Sequence, residues 1–427
     1  MKRLSGIVGA GLLMGSSLCA ESWPQFRGAN ASAAIDGASI PLEWSADKNL
    51  KWKTLLPGPG SSSPIFWGNK LFVTCYVGYG VNPKEIGKPE NLGRQLLCLD
   101  RETGKILWRK SVELANPEDD YRGYIMEHGY ASATPVTDGK HVYTFFGKSG
   151  VHAFTMDGEK VWSKEVGKSS SNRRWGSAAS PILLGDLLIV NASDESMSII
   201  AFDKNSGEEK WTYGSPQLEL TYNTPMIHEL TNGRVEVVIA APDELLALDP
   251  KTGKKLWFAK TGISGNISPS VVSEGDVLFT TGGYPKKGAI AIKGGGTGDV
   301  TDQILWKSKS FSYVPSPVVK DGLVYWVNDE ADAYVMDLKT GETVTKNEVE
   351  GIAKSRKMSF YASALRVADK FIVTSRKNGV FVFEAGKEMK QIGQNHLGDE
   401  SDFNATPALS KDSLYLRSNE AIYCIAK

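Results

Sequence analysis

Eight stretches of this chain lead with polar or aromatic side chains into a Ser/Thr-Pro step. The prolines are Pro64, Pro135, Pro181, Pro225, Pro269, Pro317 and Pro407, and Ala364 stands in the remaining place. Just ahead of these steps come Ser62, His128, Tyr130, Arg174, Trp175, Tyr222, Asn223, Asn266, Tyr313, Tyr361 and Asn404. Aromatic faces with amide, imidazole and guanidinium donors suit stacking and charge-assisted hydrogen bonding, hence a planar or anionic small ligand. The segment Ser169–Trp175 is the sharpest local case, because Arg173 and Arg174 precede Trp175 and could clamp a carboxylate or phosphate beside its ring. A wet channel rim would carry similar residues without any ligand.

Acid–base chemistry is poorly served. Glu127 and His128 are adjacent in sequence, point differently and form no ready pair. There is no Gly-x-Ser-x-Gly elbow, no His-Glu-x-x-His and no phosphate-cradling loop ending in Lys. Gly294–Gly298 reads as a hairpin turn, and five His in the whole chain argue against a His-rich metal centre. No catalytic residue is assigned and no metal ligand set is expected.

What must position the ligand-facing residues is a repeat. Apart from the first interval, the Ser/Thr-Pro steps recur every 43 to 48 residues, the length of one four-stranded blade. A second motif accompanies them, with a small residue first, Asp third, Gly seventh and Trp last: Cys98–Trp108, Ala201–Trp211 and Ala247–Trp257. Asp and Ser/Thr side chains satisfy turn amides, Gly permits the tight backbone, and Trp spreads its face between blades. Thr345 replaces Trp in the sixth unit, so that junction requires another kind of packing. One unit reads as strands Ala179–Leu184, Leu187–Ala192, Ser198–Asp203 and Glu209–Tyr213. The fold class is therefore all-β. We expect an eight-bladed β-propeller in one domain, residues 21–427, with Asn49–Leu55 completing the last blade and removing both open edges. Seven blades with a loose N-terminus is the alternative. Insertions at 78–94 and 113–128 lengthen the first interval, and the second is placed to fold over one mouth of the channel as a lid.

The 49 Lys and Arg balance 49 Asp and Glu, which gives no bulk attraction to nucleic acid or an acidic membrane surface. Residues 1–20 read as a signal peptide, with Lys2 and Arg3 ahead of an apolar stretch too short for a membrane span. Leu18 stands where a lipobox needs a small residue, which argues against lipidation at Cys19. Cys98 and Cys424 occupy the small-residue position of the repeat. Cys75 shares a blade with Cys98, which leaves a disulfide between them open.

Together, the Trp motif and the Ser-Pro signature resemble those of bacterial proteins with pyrroloquinoline-quinone (PQQ)-like propeller repeats, a group within the quinoprotein-alcohol-dehydrogenase-like superfamily. Trp23–Gly28, His128–Pro135 and Leu414–Cys424 look like the exported subgroup. Its members are often named after the propeller lipoprotein of the outer-membrane assembly machinery. The resemblance implies a periplasmic or secreted, monomeric scaffold that binds an envelope protein or peptide. The alternative it implies is a PQQ-dependent oxidoreductase with calcium and a site at the channel mouth. The adjacent Cys pair that many such dehydrogenases carry is absent, and no calcium-binding set can be assigned. The cofactor therefore stays unassigned, and we favour the scaffold over the enzyme.

Overall fold

The computed structural model describes residues 21–352 and 358–427, so the expected signal peptide, with Cys19, lies outside the described residues. Eight antiparallel sheets form blades 1 to 8. Their inner strands are Ile65–Trp67, Val136–Thr137, Ile182–Leu184, Met226–Glu229, Val272–Glu274, Val318–Lys320, Leu365–Val367 and Ala408–Leu409. Each follows its Ser/Thr-Pro or Ser-Ala step directly, except in blade 5, where Ser270 and Val271 stand between Pro269 and the strand. Leu50–Leu55 pairs antiparallel with Ala421–Ile425 and supplies the fourth strand of blade 8, setting Trp52 opposite Cys424. The eightfold reading and its closure both hold. Among the described residues no helix is long and apolar enough to cross a membrane.

Outer junctions follow the Trp motif. Gly104, Gly158, Gly207, Gly253 and Gly341 lie directly under Trp52, Trp108, Trp162, Trp211 and Trp306 of the preceding blade. Each indole N–H donates to a carbonyl two or three residues before that glycine: Arg101 (3.0 Å), Met156 (3.2 Å), Lys204 (3.0 Å), Pro250 (2.8 Å) and Leu338 (2.9 Å). The turn beneath is held by its Asp. Asp249 Oδ1, for example, accepts from Lys251 N, Thr252 N and the Thr252 hydroxyl.

Three junctions depart from the pattern, the seventh having Gly393 opposite Val382 in the place of the Trp. Trp257 donates to the buried Glu236 carboxylate at 2.9 Å, and Gly298–Asp299 from the long turn of blade 5 adds a parallel fifth strand to blade 4. At the sixth junction the Thr345 hydroxyl bonds the Lys387 carbonyl at 2.6 Å and Asn347 bonds Glu388 at 3.0 Å. The hydrogen bond to the neighbouring turn survives there without the ring. Cys75, Cys98 and Cys424 are buried and free. Cys75 faces Gln95 and Cys98 faces Phe72, three positions apart along one strand pair, so the disulfide left open by the sequence is not formed.

A second ring surrounds the axis. The backbone N–H of Ser63 donates to the Thr134 hydroxyl, Thr134 to Ser180, Ser180 to Thr224, Thr224 to Ser270, Ser270 to Ser316, Ser316 to Ser363 and Ser363 to Thr406, all at 2.9 to 3.2 Å. Each of blades 1 to 7 thus gives an amide proton to the next. The circuit is tied between blades 8 and 1 by Arg417, whose guanidinium donates to the carbonyls of Ser62 (2.8 Å) and Thr74 (2.6 Å). The far end of the channel is crossed by the N-terminal segment. Ser22–Trp23 pairs with blade 1, the buried Arg27 bonds the Pro317 carbonyl, and Ala34–Ile35 pairs with blade 7.

The docking contact can be isolated with two glycines. Gly253 and Gly233 both have positive φ (69° and 82°), but only Gly253 would push a new Cβ to 2.5 Å from the Trp211 ring. Both Ala substitutions pay the backbone strain, about 1–2 kcal/mol. Gly253→Ala is expected to cost a further ~1–3 kcal/mol through overpacking, read as a lower urea midpoint than Gly233→Ala.

Candidate binding site at the channel mouth

The residues just ahead of the hydroxyl ring surround a cavity on the axis that offers about 160 Å³ to the centres of water molecules. His128, Trp175, Tyr222, Asn266, Tyr313, Tyr361 and Asn404 all line it, as the sequence places them. Phe26 from the N-terminal segment lies at its floor, and the eight ring hydroxyls form its lower wall.

Tyr130, Arg174 and Asn223 do not line it. Tyr130 is buried in a Tyr79–Tyr121 cluster, and its hydroxyl donates to the Asp119 carbonyl at 2.8 Å. Asn223 follows Tyr222 at a bend of the chain and turns away from the cavity. Its amide bonds the Ala240 carbonyl of its own blade at 2.6 Å and the Ile267 carbonyl of the next at 3.4 Å. Arg174 has φ 54° and is exposed, away from the cavity. Arg173 is the one near the indole, with its guanidinium 5.6 Å from the Trp175 ring centroid. The expected two-arginine clamp is therefore not assembled. Ser62 supports the ring instead, accepting from Thr74 N at 3.0 Å.

The insertion at 113–128 does cross the mouth. Its last turn, Ile125–His128, ends at Gly129 with φ 71°, where a side chain would run into the Tyr76 ring. Tyr124 projects over the axis, 4.4 Å between centroids from Trp175 and 6.2 Å from Tyr313. Burial and hydrogen bonding to Tyr313 and Tyr361 push its phenol well above the ordinary range. One flank is held by Glu127, which meets Arg376 at 2.5 Å, while Asn404 donates to the Glu127 carbonyl at 2.7 Å. Arg376 also pairs with Asp402 at 3.1 Å. The other flank sits in a buried ionic network, Arg94–Glu118 at 2.7 Å and Lys148–Asp119 at 3.0 Å. Sequence reading recognised the lid as a loop. The partners Arg376, Asp402 and Lys148 carry no local signal and become visible only once the ring is closed.

His128 is fully engaged. Its Nε2 lies 2.9 Å from the Trp175 carbonyl, which can only accept, so Nε2 carries the proton and Nδ1 accepts from the Ser132 hydroxyl. Burial lowers its pKa below the ordinary imidazole value. With both nitrogens occupied and Glu127 committed to Arg376, neither is free to act as a base.

An eight-bladed propeller with Trp-docked, PQQ-like repeats is the class that this geometry defines. The sequence profile of the family described as outer membrane protein assembly factor BamB matches residues 92–347, more than half of the chain, and the chain belongs to that family. A BamB of Burkholderia pseudomallei (strain K96243) is 26% identical over 300 residues, which span 68% of this chain and 66% of that protein, just under two thirds of its length. The crystal structure of BamB from Moraxella catarrhalis superimposes with a TM-score of 0.61 at 15% identity, covering 88% of this chain and 96% of that one. Quinohemoprotein alcohol dehydrogenase from Comamonas testosteroni gives a TM-score of 0.60 at 10% identity, covering 95% and 80%. At these identities the structural matches speak for fold alone.

The superfamily raises a PQQ-with-calcium site, and the donor set can be tested against it. Among the described residues no group of three or more His, Cys, Asp or Glu side chains is placed to hold a metal ion. No Lys or Arg lines the axial cavity to meet the carboxylates of the quinone. The residues do not fit that group, and no step is derived through it.

Beneath the lid, burial raises Glu195 to about 8, and its carboxyl bonds the Ser177 hydroxyl. The folded state therefore keeps a proton that the unfolded state releases near 4.5. This contribution is full below about pH 4.5 and is lost as pH rises through about 8. His128 and His152, both lowered by burial, have the opposite sign and gain stability as pH rises through 6.5. Replacing Glu195 with Gln isolates the acid. The variant's urea midpoint should gain on wild type between about pH 5 and pH 8 and level off above, and a constant difference across that window would refute the assignment.

Proposed function

We propose that this chain is an exported interaction scaffold of the bacterial envelope, which uses the face around the lid to hold an envelope protein or peptide. The observation that carries the reading is membership of the BamB family, on a closed ring whose lid-face His and Glu are all committed to structural bonds. A rigid ring with side chains locked by neighbours presents loops at little entropic cost, which favours partner binding. The apparent signal at residues 1–20 supports export to the periplasm. The Burkholderia relative is an outer membrane protein assembly factor, which supports a partner in that process. Redox catalysis is the weaker reading, because the donor set described above does not match the quinone and its cation.

Two experiments check this. A photocrosslinker at the half-exposed Tyr284, beside the lid, is expected to trap a defined envelope protein in cells, whereas one at Asn232, in the turn after an inner strand, is not. Loss of the protein should lower outer-membrane barrel levels; unchanged levels together with no face-specific crosslink would end the scaffold reading. Calorimetry with PQQ and calcium is expected to show no binding at roughly micromolar cofactor.

A further inference from the structure

Outside the Tyr124 lid lies a second space, open to solvent, that offers about 360 Å³ to the centres of water molecules. Its walls are aromatic. Trp175 and Tyr124 form one side, and Tyr313 with Tyr284 forms the other, the latter two 6.1 Å apart at 69°. The rings are held rather than free. Trp175 is braced by Tyr222 behind it (6.1 Å between centroids), and Tyr313 is anchored through its backbone N–H to Asp329 Oδ1 at 3.2 Å. Tyr284 is half-exposed at 52%, so a phenol face is offered directly to solvent.

The charge balance of this groove is specific. Two cations, Arg173 and Lys287, face two carboxylates, Asp329 and Glu330, which sum to zero. Neither cation is free. Lys287 is ion-paired with Glu330 at 3.4 Å and lies 3.9 Å from the Phe311 ring centroid, while Arg173 lies over Trp175. Asp329 is nearly buried, and burial raises its pKa. An anion would have to compete with Glu330 for Lys287 and with the Trp175 ring for Arg173. A bare cation would find Glu330 already taken. The groove instead supplies stacking faces edged by planar polar groups with spare donor and acceptor positions.

We infer that this groove binds an uncharged saccharide, with a pyranose ring resting on Tyr284 and the chain running against the Trp175 side. The C–H bonds on one face of such a ring carry slight positive charge and lie favourably on an aromatic face. Its hydroxyls are both donors and acceptors, which matches the Asp329, Glu330, Arg173 and Lys287 rim without displacing net charge. This class replaces the anionic ligand that the adjacent arginines suggest in the sequence. The inference is independent of the envelope partner, because crosslinking and sugar titration are read separately.

The test is titration of the purified chain with maltotriose, cellotriose and N,N′-diacetylchitobiose, with trigalacturonate as the charged counterpart, followed by calorimetry and Trp fluorescence. At least one neutral saccharide is expected to bind at roughly millimolar Kd or better, with trigalacturonate at least about tenfold weaker. Trp175→Ala and Tyr284→Ala are each expected to weaken binding about tenfold or more. Tyr284 is the fold-neutral variant because of its exposure, and its melting temperature should match wild type. No binding of any neutral sugar at about 10 mM, equal affinity for trigalacturonate, or unchanged binding by Tyr284→Ala would each overturn the proposal.

Discussion

One repeated hydrogen bond organises this molecule: an amide N–H at the head of each inner strand given to the Ser or Thr hydroxyl of the next blade. It is made seven times in succession around the axis among the described residues. A single such bond is worth only about 1 kcal/mol net. Its importance is geometric. It fixes how far each blade stands from the axis and therefore where the residues ahead of it project. The Trp junctions do the complementary task at the rim, where large apolar faces cover the neighbouring turns. Inner polar bonds set position, and outer apolar contacts supply most of the burial.

This division explains what the sequence disclosed. The proline was the visible mark, yet blade 7 lacks it and keeps its place, because Ser363 retains the hydroxyl and Ala364 needs only an extended backbone. Thr345 makes the same point at the rim, where the hydrogen bond to the next turn persists after the ring is lost. Repetition made these positions legible, since each is read eight times over. The mouth is different. Tyr222 and Asn223 are equally suggestive as letters, but a bend at Asn223 sends one toward the axis and the other to the Ala240 and Ile267 carbonyls. Arg174 is turned outward by a positive φ that no pattern announced. Tyr284, Asp329 and Lys287 come from loops on the lid side of blades 5 and 6, where nothing repeats, so their convergence was invisible until the ring was closed.

Charge at the mouth is self-contained. Arg376 answers Glu127 and Asp402, Lys287 answers Glu330, and the deeper Arg94 and Lys148 answer Glu118 and Asp119. The two buried pairs, Arg94–Glu118 and Lys148–Asp119, add little net stability, but removing one partner leaves an uncompensated charge. The lid is therefore held in one arrangement by pairs that are mutually costly to break, and the aromatic collar keeps its shape without a ligand.

The strand that closes blade 8 has a further consequence. Among the described residues, Leu50–Leu55 pairs only with Ala421–Ile425, far along the sequence. During synthesis, the stretch between the two strands must emerge before this pairing can form, so the early segment waits unpaired while the blades after it assemble locally. A product cut short before Ala421 is left with raw sheet edges. The closure thus acts as a check on manufacture, in which only a chain carrying both strands becomes a ring without sticky ends.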